Sequence, residues 1–187
     1  MVRYFQDFVI NAIDPTIEDY YHKQVTIDSE TEDLDVLELG SHETFTVFHK
    51  KHIFACDAFM YILAVDNVDS LTEMANMLMQ VVRIKDMEHL PALVVCINKI
   101  DLDESQHIVT EQMVKSTLQD LPIYNYVIMK TSAKNKINIT ESFEEVVIRY
   151  RLRNVDLLHV LTQILQRDKQ ILNDLSQQQN KRKCCIM

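Results

Sequence analysis

Asn98-Lys99-Ile100-Asp101 follows directly on the apolar run Ala92-Leu93-Val94-Val95-Cys96-Ile97. An ionised aspartate is an acceptor with two oxygens. It can take hydrogen bonds from both the N1–H and the N2–H of a guanine base, a pair that adenine does not offer. Alone, the four residues are a weak pattern, for which a solvated turn is the default reading. Ser132-Ala133-Lys134 stands at the corresponding place one unit later, after the weaker strand candidate 124–129. The two runs together are more specific than either.

A third run, Ile13-Asp14-Pro15-Thr16-Ile17-Glu18-Asp19-Tyr20-Tyr21, is followed closely by Lys23-Gln24-Val25. The chain closes on Lys181-Arg182-Lys183 and Cys184-Cys185-Ile186-Met187. That ending has the form of a CaaX prenylation signal, and its terminal methionine favours a farnesyl group on Cys184. A free pair of terminal cysteines is the plain alternative. Cys56 and Cys96 lie by or in apolar runs and are expected to be buried, reduced core thiols. His49 and His52 have no acidic or cysteine set around them that would make a metal site. No Ser-His-Asp or Cys-His arrangement can be argued from spacing.

These runs need elements to hold them. Residues 21–28 and 34–39 read as strands, with the polar stretch 28–33 between them as a hairpin turn. Residues 58–65 and 92–97 are continuous apolar runs of strand length, as expected of strands buried on both faces of a sheet. Helices are expected over roughly 71–85, capped by Asp69 or Ser70, over 111–120, started by Thr110, and over 140–153. Met74, Met77 and Met79 fit packing on the first of these. Strand–helix alternation implies an α/β fold with a mostly parallel sheet, whose ligands bind at the carboxyl ends of the strands. Leu158, Leu161, Leu165, Leu172 and Leu175 suggest an extended final helix, or a short coiled coil, before a polar spacer.

Composition narrows the classes. The 187 residues are 47% hydrophobic and 25% charged, as in ordinary globular proteins. A net charge of −9 leaves no basic surplus for nucleic acid. No run approaches the roughly 20 apolar residues of a membrane span. The start, Met1 to Phe8, has no secretory signature, so a cytosolic origin is expected. There is one glycine, Gly40, where average usage of roughly 7% would give about thirteen. A phosphate loop of the form GxxxxGK[ST] needs two. These residues therefore do not contain one.

Taken together, the motifs resemble the Ras subfamily of small GTPases, from roughly Val2 to Arg153 and again at the final four residues. The resemblance implies the small-GTPase three-layer fold and a membrane-anchored guanine-nucleotide switch using GTP or GDP and magnesium. Asn98 and Asp101 would read guanine, Lys99 would pack along base and ribose, and Ser132 would orient Asp101. Ala133 would donate its backbone N–H to the guanine oxygen, with Lys134 completing that motif. Thr16 would contact magnesium and sense the third phosphate. Residues 13–21 would form the first switch and dock effectors through their Ras-binding domains. Exchange factors and GTPase-activating proteins are further implied partners. Prenylation and methylation at Cys184 would place the protein on the cytoplasmic face of the plasma membrane.

The departures bear on activity. The family's first strand and phosphate loop have no counterpart here, and in the family's sheet order that strand is central. Where the family has Asp-Thr-Ala-Gly-Gln-Glu, this chain has Glu38-Leu39-Gly40-Ser41-His42-Glu43. Glu38 replaces an aspartate near magnesium. Ser41 replaces a glycine whose peptide must turn toward the third phosphate, and its Cβ restricts that turn. His42 replaces the glutamine that orients the attacking water. The expected organisation is an N-terminally incomplete G domain over 1–153, a helix and polar spacer over 154–183, and the prenylation motif over 184–187. Three readings stay open: a switch with impaired hydrolysis, a non-enzymatic effector-binding pseudo-GTPase, or a product that never folds. So does the question whether the sequence begins too late or has truly lost its first strand.

Overall fold

The structure, a computed structural model, describes residues 1–9, 18–40, 47–85 and 91–152. Its first strands form an antiparallel hairpin, β1 (Glu18–Ile27) and β2 (Glu30–Leu39), in which Ile27 faces Glu30. The turn is therefore two residues long, not six. Asp28 and Ser29 both take left-handed backbone, with φ of 53° and 67°, as tight hairpin turns require. The acidic run Glu30–Asp33 imitates a loop in sequence because it lies on an exposed part of the strand. Cross-strand polar pairs hold the register there: Gln24 Nε2 donates to Asp33 at 3.3 Å, and the Thr26 and Thr31 hydroxyls meet at 3.2 Å.

One of these pairs is open to titration. His22 Nδ1 lies 2.7 Å from Asp35 Oδ1, and this hydrogen bond raises the imidazole pKa above its usual value. A raised histidine pKa means that the charged form favours the folded hairpin. The contribution is full below the ordinary value and fades as pH rises through the raised one. We expect an NMR titration of His22 to show the higher pKa, and Asp35→Asn to lower it. An unchanged midpoint in that variant would show that the contact does not form in solution.

The second sheet is parallel, in the order β3 (Ala58–Ala64), β4 (Ala92–Asn98) and β5 (Tyr126–Lys130). Helix α3 (Asp69–Lys85) connects β3 to β4, and α4 (Glu111–Gln119) connects β4 to β5. Two further helices, α1 (Val2–Phe5) and α2 (Val47–Ala55), precede β3, and a last one, α5, is described over 139–152. The α/β class and the parallel sheet agree with the sequence reading. Side chains alternate across this sheet as the pleat demands. Leu63, Leu93, Val95 and Ile97 pack with Leu71, Met74 and Leu78 of α3 and with Val114 and Leu118 of α4. On the opposite side Met60 packs against Tyr4, Phe143 and Val147, together with Val25 and Ile27 of the hairpin. Tyr4 stacks on Phe143 at 3.9 Å between centroids.

Several expectations are corrected. Residues 92–97 are buried throughout, as their sequence demands. The equally apolar β3 is not: of its residues only Leu63 is buried, and Ile62 is 47% exposed. The reason is position, since among the described residues β3 is an edge. Neither Asp69 nor Ser70 caps α3. The Val68 carbonyl accepts the first helical bonds, Asn67 Oδ1 accepts from the Asp69 N–H at 2.9 Å, and Ser70 Oγ turns back to the Asn67 carbonyl at 2.6 Å. Thr110 does cap α4, its Oγ1 accepting from the Met113 N–H. Cys96 is buried, which pushes its thiol up to about 11. Cys56 is only half-buried, because it falls in the turn between α2 and β3. Of the three α3 methionines only Met74 enters the core, because Met77 and Met79 lie off the buried stripe of Leu71, Met74, Leu78 and Val81.

Met1–Tyr150 make up one unit, and Arg151–Met187 a second. The leucine series from Leu158 to Leu175, the polar spacer and Cys184 lie outside the described residues.

Candidate functional site

The carboxyl ends of β3, β4 and β5 bring three loops together. β4 and β5 are in register, with Ile97 opposite Lys130, so Asn98 and Thr131 emerge side by side. The Thr131 N–H donates to the Ile97 carbonyl at 2.9 Å, and the Ile100 N–H to the Thr131 carbonyl at 3.2 Å. These bonds fix the loop 98–101 against the loop 131–134. Lys99 turns the chain between Asn98 and Asp101 with a left-handed φ of 67°.

Within this frame the side chains are tied to one another. Ser132 Oγ donates to Asp101 Oδ1 at 2.5 Å, and Lys134 Nζ lies 3.7 Å from Asp101 Oδ2. The hydroxyl bond, with the nearby ammonium, holds the Asp101 carboxyl below the usual carboxylate range. The side chain is 7% exposed. It is therefore a fixed, ionised acceptor with lone pairs to spare, which suits a neighbouring pair of N–H donors. Ser132 Oγ also accepts from the Asn135 N–H at 3.0 Å, and a bridge between Ser132 and Ile137 closes the loop. Asn98 Oδ1 accepts from the Ala133 N–H at 3.1 Å and from Thr131 Oγ1 at 3.3 Å. The Ala133 N–H, expected to face a base oxygen, is thus engaged by Asn98 here. Those bonds fix the Asn98 amide with its oxygen inward, which leaves its nitrogen as the outward donor.

Two participants escaped the sequence reading. Asp66 lies just past the end of β3, and Lys99 Nζ donates to both its oxygens, at 3.0 and 3.1 Å. This bond holds Asp66 below its usual pKa. Thr131 is buried and supports Asn98. The signal for both was positional: each is the first polar residue after its apolar run, or next to one already singled out. Strand ends in parallel sheets are where such residues gather.

The remaining expected site residues do not join this cluster. Glu38 is half-buried in β2 opposite Asp19, where its charge helps to raise the Tyr21 pKa, burial being the larger cause. Glu18 accepts from the Tyr20 hydroxyl and pairs with His52 Nε2 at 3.3 Å, which ties the start of β1 to α2. Tyr21 stacks on Phe5. Ile13, Asp14, Pro15, Thr16 and Ile17 lie outside the described residues, as do Ser41 and His42.

Comparison with known proteins identifies relatives of this chain. The chain is 30% identical to "Ras-like protein 1" of Saccharomyces cerevisiae over 146 residues, 78% of this chain. It spans 46% of the length of that relative. It is 27% identical to "Ras-like protein 2" of Drosophila melanogaster over all of this chain and 88% of the relative. To "Ras-like protein" of Laccaria bicolor it is 29% identical, over 83% of this chain and 72% of the relative. The sequence pattern of the Ras family matches residues 1–151, and the chain belongs to that family.

Proposed function

We propose that this protein is a Ras-like, guanine-nucleotide-binding signalling protein whose GTP hydrolysis is impaired. The observation that carries this reading is the convergence of Asn98, Asp101, Ser132 and Ala133 on one strand-end site, with the Asp101 carboxylate fixed and ionised. The residues present fit the base half of a nucleotide. Asp101 would accept from the guanine N1–H and N2–H, the Asn98 amide would donate to the ring edge, and the stem of Lys99, whose Nζ is held by Asp66, would pack along the base. Bound GTP or GDP would supply the phosphates, with magnesium, on which the family's switching turns. Thr16 is the residue by which this chain would hold magnesium, and Glu38 and Ser41 stand at the neighbouring family positions. His42 in place of glutamine is what argues for slow hydrolysis.

Binding should be weak, because the 187 residues hold a single glycine and no GxxxxGK[ST] loop to cradle phosphates. Equilibrium titration with fluorescent GDP and ADP tests the reading. A measurable preference for GDP is expected, and equal binding of the two would refute it. A second reading is favoured by the same single glycine: an effector-binding protein without nucleotide control, in which residues 13–21 engage Ras-binding domains. Binding of such a domain that ignores added GTP or GDP would select it.

Location follows from the tail. Farnesylation at Cys184, with Lys181, Arg182 and Lys183 as a second signal, would hold the protein reversibly at the cytoplasmic face of the plasma membrane. Exchange factors and activating proteins would meet it there. Cys184→Ser is expected to move the protein from the membrane fraction to the cytosol on cell fractionation. Unchanged partition would remove the anchor from the proposal.

A further inference from the structure

Glu18 opens β1, and its carboxylate is held from two sides. The Tyr20 hydroxyl donates to it from two residues along the strand, on the same face. His52 Nε2 of α2 lies 3.3 Å from Glu18 Oε1. The side chains of His52 and Glu18 are 21% and 29% exposed, so water screens the pair only in part. The exposed Tyr20 ring stands edge-on to the imidazole, at 6.3 Å between centroids.

Other charged and titratable groups stand near. His22, next along this face of β1, is paired with Asp35 of β2. Lys50 and Lys51 are exposed on α2. From α3, Lys85 Nζ donates to the Phe54 carbonyl at 2.7 Å. The half-buried Cys56 thiol, its pKa raised by burial, lies close enough to Tyr20 to act on its hydroxyl.

A histidine changes charge between about pH 5 and pH 8. Protonated, it is a charged donor, and such donors hold a carboxylate roughly twice as strongly as neutral ones. Glu18 also belongs to the run 13–21, read above as a surface for Ras-binding domains. His52 and a basic side chain of such a partner would therefore compete for one carboxylate. We propose that His52 is a proton-operated restraint on partner binding. Protonated, it keeps Glu18 drawn back onto α2. Neutral, it yields Glu18 to a lysine or arginine of the partner. The proposal rests on the reading of residues 13–21 as an effector loop, and is independent of nucleotide. Protonation of His22 changes the charge of the same face in the same sense, so variants at position 52 must separate the two.

The test titrates the full 187-residue chain against a purified Ras-binding domain whose docking face carries lysine or arginine and no histidine. Affinity for the wild type should rise about three- to fivefold from pH 6 to pH 8, the size expected when a partner must break a partly exposed ion pair. His52→Gln should lose most of that rise by binding more tightly at pH 6. His52→Arg, a permanent cation, should bind at pH 8 as weakly as the wild type does at pH 6. In the wild type, the carbon-13 resonance of the Glu18 carboxyl should titrate in step with the His52 ring, a measurement that holds even if a variant fails to fold. A His52→Gln profile parallel to that of the wild type would overturn the proposal and leave the effector reading intact. So would a Glu18 resonance that ignores the His52 titration. Absence of binding by both wild type and His52→Gln at either pH would sink the effector reading, and this proposal with it.

Discussion

Asp101→Ala should lower affinity for GDP by about 10- to 100-fold and leave affinity for ADP unchanged. A bidentate contact between a side chain and a base edge discriminates by about 1–3 kcal/mol, and Asp101 is the group here able to accept two hydrogen bonds from guanine alone. The substitution also strips Ser132 Oγ of its acceptor and leaves Lys134 without that carboxylate. A melting curve must therefore accompany the titrations, so that loss of the loop is not read as loss of the contact. The pH dependence has a definite sign. The Asp101 pKa is depressed in the folded protein, so the acceptor stays ionised across the neutral range. Guanine preference should be flat on acidification to about pH 4, the ordinary aspartate value, and should disappear only as pH falls through the lowered pKa. A preference lost nearer pH 6 would place the discriminating group elsewhere.

The largest effect on stability should come from α3. Met74 is fully buried between the helix and the parallel sheet, whereas Met79, one and a half turns on, is 42% exposed. Met74→Ala should cost about 2–5 kcal/mol in urea unfolding, the range for deleting a large buried side chain and leaving part of its cavity. Met79→Ala should stay within about 0.5 kcal/mol, as surface changes do. Equal losses would mean that the helix is rotated from the position described.

These cases show what the chain declares about itself. The continuous apolar run 92–97 announced a strand buried on both faces, and it is one, because nothing but the centre of a sheet covers six successive apolar residues. The run 58–65 made the same announcement and, among the described residues, sits at an edge. Local composition speaks for the neighbours a strand was built to have, and does not report whether they are there. The hairpin was misjudged in the opposite sense. Glu30 to Asp33 are polar enough to pass for a loop, and only cross-strand partners such as Gln24 and Thr31's mate Thr26 reveal them as strand. At the site, Asn98, Asp101 and Ser132 were legible because each follows an apolar run. The ion pair of Lys99 with Asp66 was not, because it joins residues 33 apart whose proximity depends on the order of strands in the sheet. The first-switch residues 13–21 and His42 were read from the family pattern, and of these Ile13 to Ile17 and His42 lie outside the described residues.

The scarcity of glycine has a consequence for how the backbone turns. Asp7, Asp28, Ser29, Lys99, Lys136 and Asn138 all adopt positive φ, a region that side chains with a Cβ enter at a cost of roughly 1–2 kcal/mol each, less for Asn and Asp. The fold thus carries steric strain at its hairpin turn, in both base-site loops and at the end of α1. Such a chain has room for stabilising changes at these turns. Its turns are where a more heat-resistant relative of the same shape would first differ.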